Sequence, residues 1–144
     1  MQTIHSTTGS IIALDVGERR IGVALCDSQA RLPHPLATLA HTPEIFDTLM
    51  RLLADQRAVA VVVGLPRGLD GQHTAQTVYV EQFAGRLKQL IAVPCVFQDE
   101  ALTSRKAEEE LLRRGKPFAK GDIDALSATY ILEDFVHEHP EVLA

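Results

Sequence analysis

The sequence predicts an α/β fold: one mixed sheet with helices on its faces, in a single domain. Three observations predict it. Apolar, largely β-branched runs of strand length recur at 10–16, 21–26, 59–63 and 93–97. Stretches with apolar residues at helical spacing separate the later runs. The chain has 144 residues, 46% hydrophobic and 23% charged, which is the size and balance of one globular core. The net charge of −5 argues against a protein that coats nucleic acid indiscriminately, but leaves room for a local basic surface. No apolar run approaches the ~18 residues of a membrane span, and the polar stretch 1–10 does not read as a secretion signal. Cys26 and Cys95 sit in apolar runs, as reduced core residues of a cytoplasmic protein do.

The elements follow in order. Ser10–Val16 and Ile21–Cys26 are joined by the short, turn-like Gly17-Glu18-Arg19-Arg20, which reads as a β-hairpin. Leu32–Leu39 is a third strand, held to an edge by Pro33 and Pro35. Thr42-Pro43-Glu44 predicts a helix start with Thr42 as cap, followed by Ile45, Leu49, Leu52 and Leu53. Val59–Val63 is a strand covered on both faces, ended by Gly64-Leu65-Pro66. After a loop at 68–71, Val80, Phe83, Ala84, Leu87 and Ile91 mark a long helix. Val93–Phe97 is the next strand and runs into Gln98-Asp99-Glu100. A helix from Thr103 or Ser104 to Arg114 is closed by Gly115 and Pro117, and a last helix spans about 122–136. Three strands in an antiparallel meander, followed by strands alternating with helices, give a five-stranded sheet with three antiparallel and two parallel strands. Residues 1–9 are expected as a disordered arm, 10–137 as the domain and 138–144 as a frayed tail.

Three carboxylates stand in unusual places. Asp15 ends a buried strand, Glu100 follows another, and Asp124 lies one turn into a helix below Ser127, Ala128, Ile131 and Phe135. Each has an ordinary alternative: a strand-end turn, a helix approach, or a first-turn acid favoured by the helix dipole. Converging, they would repel one another and raise each other's pKa. Mg²⁺ or Mn²⁺, which prefer oxygen ligands, would resolve that repulsion.

Four segments together resemble one family. Ala13-Leu14-Asp15-Val16-Gly17 with Arg20-Ile21-Gly22-Val23-Ala24 resembles the opening motif of the YqgF/RuvX family, whose members are named as pre-16S rRNA nucleases. Val62–Pro66 with Leu69-Asp70-Gly71, then Asp99–Ser104 with Ala107-Glu108, then Ile123-Asp124-Ala125 with Ser127-Ala128, resemble its further motifs, in order. The resemblance implies an RNase H-like fold, similar to Holliday junction resolvases. It also implies that Asp15, Glu100 and Asp124 are catalytic metal ligands for Mg²⁺ or Mn²⁺. Two departures stand out: Ala101 replaces the arginine of the third motif, and Arg67-Gly68-Leu69 fill the middle of the second. Arg67 or Arg20 is then left to hold phosphate in the missing arginine's place.

Residues 105–120 carry Arg105, Lys106, Arg113, Arg114, Lys116 and Lys120 against three glutamates, a local charge of +3 that leaves −8 on the rest. This segment lies between two of the acids. It reads as a phosphate track, with Arg19 and Arg20 beside Asp15 adding to it; the ordinary alternative is a solvated helix. Few aromatics accompany it, Phe118 alone within the segment, so stacking on single strands is not expected. The expected protein is a cytoplasmic, metal-dependent nuclease of structured RNA, processing the 5′ end of precursor 16S rRNA on ribosomal particles, as a monomer or weak homodimer. The alternatives are a resolvase-like nuclease of branched DNA and a non-catalytic ribosome-associated RNA-binding protein. An ATPase reading of the Asp-x-Gly hairpin fails, because the second phosphate loop it needs is missing from the sequence.

Overall fold

The computed structural model describes residues 9–27, 31–68, 71–100 and 103–143, with backbone alone at 103–105 and 143. The arm at 1–8, Leu69 and Asp70 of the second motif, Ala101 and the side chain of Arg105 lie outside the described residues. The element order is β1 (Ser10–Val16), β2 (Arg20–Asp27), β3 (His34–Ala40), α1 (Ile45–Asp55), β4 (Ala58–Pro66), α2 (Ala75–Leu90), β5 (Cys95–Glu100), α3 (Thr103–Arg114) and α4 (Lys120–Glu138), with a 3-10 turn over Pro140–Leu143.

The sheet order is β3-β2-β1-β4-β5. The first three strands are antiparallel, and β4 and β5 run parallel to β1. The proline-bearing β3 takes an edge, as a strand short of ladder donors must. Alternation along the strands divides the core. Ile12, Leu14, Val16, Val61 and Val63 face α1 and α2, whose Leu49, Leu53, Val80, Phe83 and Leu87 cover them. Ile11, Ala13, Ala24, Cys26 and Val62 face α4, whose Ala128, Ile131, Leu132 and Phe135 cover them. Each fully buried aliphatic side chain here contributes about 1.5–3 kcal/mol of transfer free energy.

Several boundaries differ from the sequence expectation. α1 begins at Ile45 rather than Pro43, and its preceding Glu44 makes no side-chain cap. The Thr42 hydroxyl accepts from the Glu44 N–H at 3.3 Å, and the Thr42 carbonyl accepts from Ile45 at 3.1 Å, so Thr42 builds a turn before the helix. β4 continues through Gly64–Pro66, and β5 through Gln98–Glu100, because those residues pair with each other. α4 begins at Lys120, where Asp122 returns its carboxylate to the Ala119 N–H at 2.9 Å. Where a frayed tail was expected, α4 reaches Glu138 and the 3-10 turn buries Val142 against the second core. Gly115 closes α3 with φ of +71°, the left-handed conformation that glycine adopts at least cost.

α4 crosses the sheet obliquely. Its first turn touches β3, where the Thr38 hydroxyl donates to the Gly121 carbonyl. It then lies on β2 at Gly22 and on β4 at Gly64, and ends at β5, where Gln98 donates to Glu138 at 3.0 Å. A Cβ on Gly22 would overlap the Asp124 carbonyl, so the absent side chain is what lets the helix descend onto the sheet.

Candidate functional site

Asp15 shares its strand face with Ile11 and Ala13 and so points toward α4. Its partner across the antiparallel ladder is Gly22. Because Gly22 seats the first turn of α4, the hairpin register itself brings Asp124 to Asp15. Burial of the Asp15 carboxyl pushes its pKa up from 3.8 to about 6, and the Asp124 charge adds to the rise.

The third group at this place is Arg20. Its Nε donates to Asp124 Oδ2 at 2.6 Å, spanning 104 positions of sequence. The loop carrying Arg19 and Arg20 is fixed from behind. The Gly17 N–H donates to the Arg20 carbonyl at 3.0 Å, and the His41 N–H to the Arg19 carbonyl at 2.9 Å. The His41 ring Nδ1 lies 2.8 Å from the Gly17 carbonyl and 3.2 Å from the Tyr79 hydroxyl. Arg19 itself is exposed.

Glu100 is placed elsewhere. It ends β5 opposite Pro66, two strands from β1, on the same sheet face as Gln98. Burial pushes its carboxyl up to about 8, and a hydrogen bond and charge repulsion with Asp134 of α4 add to this; Glu138 raises it further, and Lys106 opposes. The structure therefore brings Asp15 and Asp124 together and sets Glu100 against the far half of α4. Among the described residues no group of three His, Cys, Asp or Glu side chains has the arrangement of a metal site. The donor set at Asp15 and Asp124 nonetheless fits a hard divalent cation: two carboxylates converge, and burial leaves one of them short of compensating charge.

The basic residues fall into two groups. Arg113, Lys116 and Lys120 are exposed. Arg114 is tied to Glu110 one turn back at 3.2 Å. Arg67 stands 3.5 Å from Asp99, with its buried Nε lacking a hydrogen bond of good geometry. Between the β3 edge and the α3–α4 junction lies a cleft of about 260 Å³. Pro35, Leu126 and Phe118 give it apolar walls, and Arg114 and Lys116 give it cations. Asp122 and Ala125, which flank Asp124 in sequence, also line it.

Sequence reasoning did not identify Gly22 as the seat of α4, although a glycine inside an apolar strand opposite Asp15 was a legible signal. It did not identify Asp134 as the partner of Glu100, and nothing in the sequence marks that pairing, which depends on the path of α4 across the sheet.

Residues 9–138 match a family model described as "RuvX: Holliday junction resolvase". Curated proteins named "Putative pre-16S rRNA nuclease" are similar over most of their length. That of Chloroflexus aurantiacus is 43% identical over 130 residues, covering 88% of this chain and 85% of its own. That of Roseiflexus sp. is 40% identical over 137 residues, covering 92% and 97%. That of Sodalis glossinidius is 36% identical over 140 residues, covering 94% and 99%. Among solved structures, T. thermophilus RuvC in complex with a Holliday junction substrate superposes with a TM-score of 0.55 at 17% identity, covering 92% of this chain and 97% of that one, a likeness of fold.

Proposed function

The chain belongs to the RuvX family, and from that premise we propose that it is a metal-dependent nuclease hydrolysing phosphodiester bonds of structured RNA, in the cytoplasmic processing of the 5′ end of precursor 16S rRNA. The observation that carries the reading is the convergence of Asp15 and Asp124 across Gly22, which brings a second acid beside one whose charge burial already disfavours. Asp15 and Asp124 are the residues that hold Mg²⁺ or Mn²⁺, and Glu100 is the third acid of the catalytic set. When bound, the metal supplies Lewis acidity toward the phosphoryl oxygen and lowers the pKa of water.

The chain's own residues do the rest. Arg113, Lys116 and Lys120 meet the phosphate backbone from the exposed end of α3 and the start of α4, with Arg105 and Arg114 on the same segment. The cleft beside Asp122 and Ala125 lies along the helix that carries Asp124 and is lined by Arg114 and Lys116. Arg19 stands on the hairpin loop at the other side of Asp15, and Arg67 ends β4 beside β5. The backs of the hairpin and of α4 are held by the sheet, so the two carboxylates approach phosphate from rigid elements rather than loops.

Branched DNA is the second reading, favoured by the description of the matching family model. The test is purified protein with a 5′ precursor 16S rRNA fragment, an unrelated structured RNA and a four-way DNA junction, each with Mn²⁺ and with EDTA, beside Asp15→Asn. Mn²⁺-dependent cleavage of the precursor RNA, lost in the variant, is expected. Cleavage of the junction alone would transfer the activity to DNA. Binding of RNA without cleavage in any metal would return the protein to a non-catalytic binding role.

A further inference from the structure

Arg20 opens β2, directly after the loop that follows Asp15. Its side chain is 39% exposed, while that of Asp124 is 19% exposed. Nε alone contacts Asp124 among the described groups, leaving the two terminal nitrogens of the guanidinium outside the pair. Among the described residues no ion pair or side-chain hydrogen bond reaches Asp15. One guanidinium therefore pairs with one of two converging carboxylates and leaves the other without a cation, from a side chain with solvent on one flank.

We propose that Arg20 is the internal counter-ion of the metal-free site, holding on Asp124 the oxygen that a divalent cation takes, so that metal loading displaces the guanidinium. The proposal rests on the metal reading of Asp15 and Asp124 given above. The chemistry favours exchange. Two neighbouring carboxylates repel where the first turn of α4 sits on Gly22, so a positive group beside them stabilises the folded metal-free protein whenever both are charged. A guanidinium bonded through a single N–H and open to water is one of the more easily displaced partners, unlike a bidentate buried pair. A divalent ion would bring twice the charge, and Asp15 and Asp124 would both be available to hold it, whereas Arg20 contacts only Asp124. The pairing of β2 with β3 fixes the backbone of Arg20 opposite Ala40, so exchange needs only a side-chain rotation. The released guanidinium then stands beside the acids with all of its donors free, where a phosphate is to arrive. Arg20 is in this sense a positioning residue for Asp124, and its removal has opposite effects on the two states: the metal-free fold loses its counter-ion, and the metal loses its competitor.

The experiment is calorimetric titration of Mn²⁺ into wild type, Arg20→Gln, Arg20→Lys and Asp15→Asn, with melting temperatures in EDTA. Arg20→Gln should melt lower in EDTA yet bind Mn²⁺ roughly three- to tenfold more tightly. Arg20→Lys should fall between the two. An Arg20→Gln protein that melts lower but binds Mn²⁺ as wild type does has lost only a structural contact, and that overturns the proposal. Weaker Mn²⁺ binding in Arg20→Gln overturns it too. Should that variant fail to fold, the wild type provides the test: the arginine Nε–H resonance of Arg20 in an NMR titration should move as Mg²⁺ saturates the site, and an unmoved resonance at saturation overturns the proposal. If wild type binds no Mn²⁺, the metal reading and this inference fall together. If wild type binds and Asp15→Asn does not, while Arg20→Gln matches wild type, this inference alone falls.

Discussion

Helix α4 meets an acid of the sheet at each of its halves, and the two meetings are resolved in different ways. Near its start Asp124 adjoins Asp15, and the excess negative charge is met by a guanidinium at 2.6 Å. Toward its end Asp134 and Glu138 face Glu100, and there burial, with the hydrogen bond and charge of Asp134, pushes the Glu100 carboxyl up toward its neutral form, Lys106 opposing. A buried acid has these two exits, a cation or a proton. Only the first leaves a site where one cation can replace another.

The largest effect should come from the cation-answered end. Asp15→Asn or Asp124→Asn is expected to lower kcat at least about a thousandfold, some 4 kcal/mol of transition-state stabilisation. The double variant should be little worse than either single one, because residues acting as a unit are not additive. Glu100→Gln should be milder, and in the Asp15→Asn background it should add little. Steady-state cleavage of the precursor RNA fragment measures all four. Losses that multiply between Asp15 and Glu100 would make the two halves of α4 separate sites.

Next in size is the geometry that makes the first meeting possible. Gly22→Ala sets a methyl group against the Asp124 backbone carbonyl, which no rotamer change relieves. About 2–3 kcal/mol of destabilisation is expected in urea unfolding, with loss of activity as Asp124 is lifted from Asp15. Gly85 is the control: it is exposed within α2 and an added Cβ would meet nothing within 4 Å, so Gly85→Ala should stabilise by about 0.5–1 kcal/mol. Equal effects at the two glycines would remove the close approach from the account.

The third effect separates the two halves by pH. The folded-state pKa of Asp15 lies above its unfolded value of 3.8, so folding is favoured by the bound proton below about pH 4 and loses that contribution as pH rises through about 6. Glu100 behaves alike but gives up its contribution through about pH 8. In EDTA, Asp15→Asn should gain stability over wild type between pH 4 and 6, reaching on the order of 3 kcal/mol and then holding level. The gain of Glu100→Gln should continue to about pH 8. Coincident pH profiles for the two variants would erase the contrast between the halves.

How much of this was legible beforehand varies with how local the cause is. The β1–β2 hairpin, the edge position of β3 and the stop of α3 at Gly115 are written in a few adjacent residues each, and they are found where the sequence puts them. Thr42 misled because a threonine before a proline and an acid suits a cap and a turn equally well. The extent of β4 and β5 depends on each strand having the other to pair with, which neither run reveals alone. The meeting of Asp15 with Asp124 was legible as a pattern of acids and small residues, but Glu100 was placed with them on chemistry and resemblance rather than on geometry. The oblique path of α4, set by Gly22 and Gly64 far apart in sequence, decides which acid faces which.

The smallest effect concerns the exposed cations at the end of α3, and it contrasts Arg20, which is bound to an acid, with lysines and arginines that stand in solvent. Each phosphate contact contributes through released counterions, so its loss reduces the slope of log K against log salt by roughly 0.7 for a single strand to 0.9 for a duplex. Arg113→Gln, Lys116→Gln and Lys120→Gln should each flatten the slope by about that amount when RNA binding to the Asp15→Asn protein is followed by fluorescence anisotropy between 50 and 300 mM KCl. Arg114→Gln should change it less, because part of that guanidinium's charge is already answered by Glu110 one helical turn away. Arg20→Gln should also change it little, since its guanidinium is held on Asp124 and the Asp15→Asn protein takes up no metal to displace it. A slope that none of the exposed cations alters would make the basic segment an ordinary solvated helix end, and RNA would then have to reach Asp15 and Asp124 from the side of Arg19.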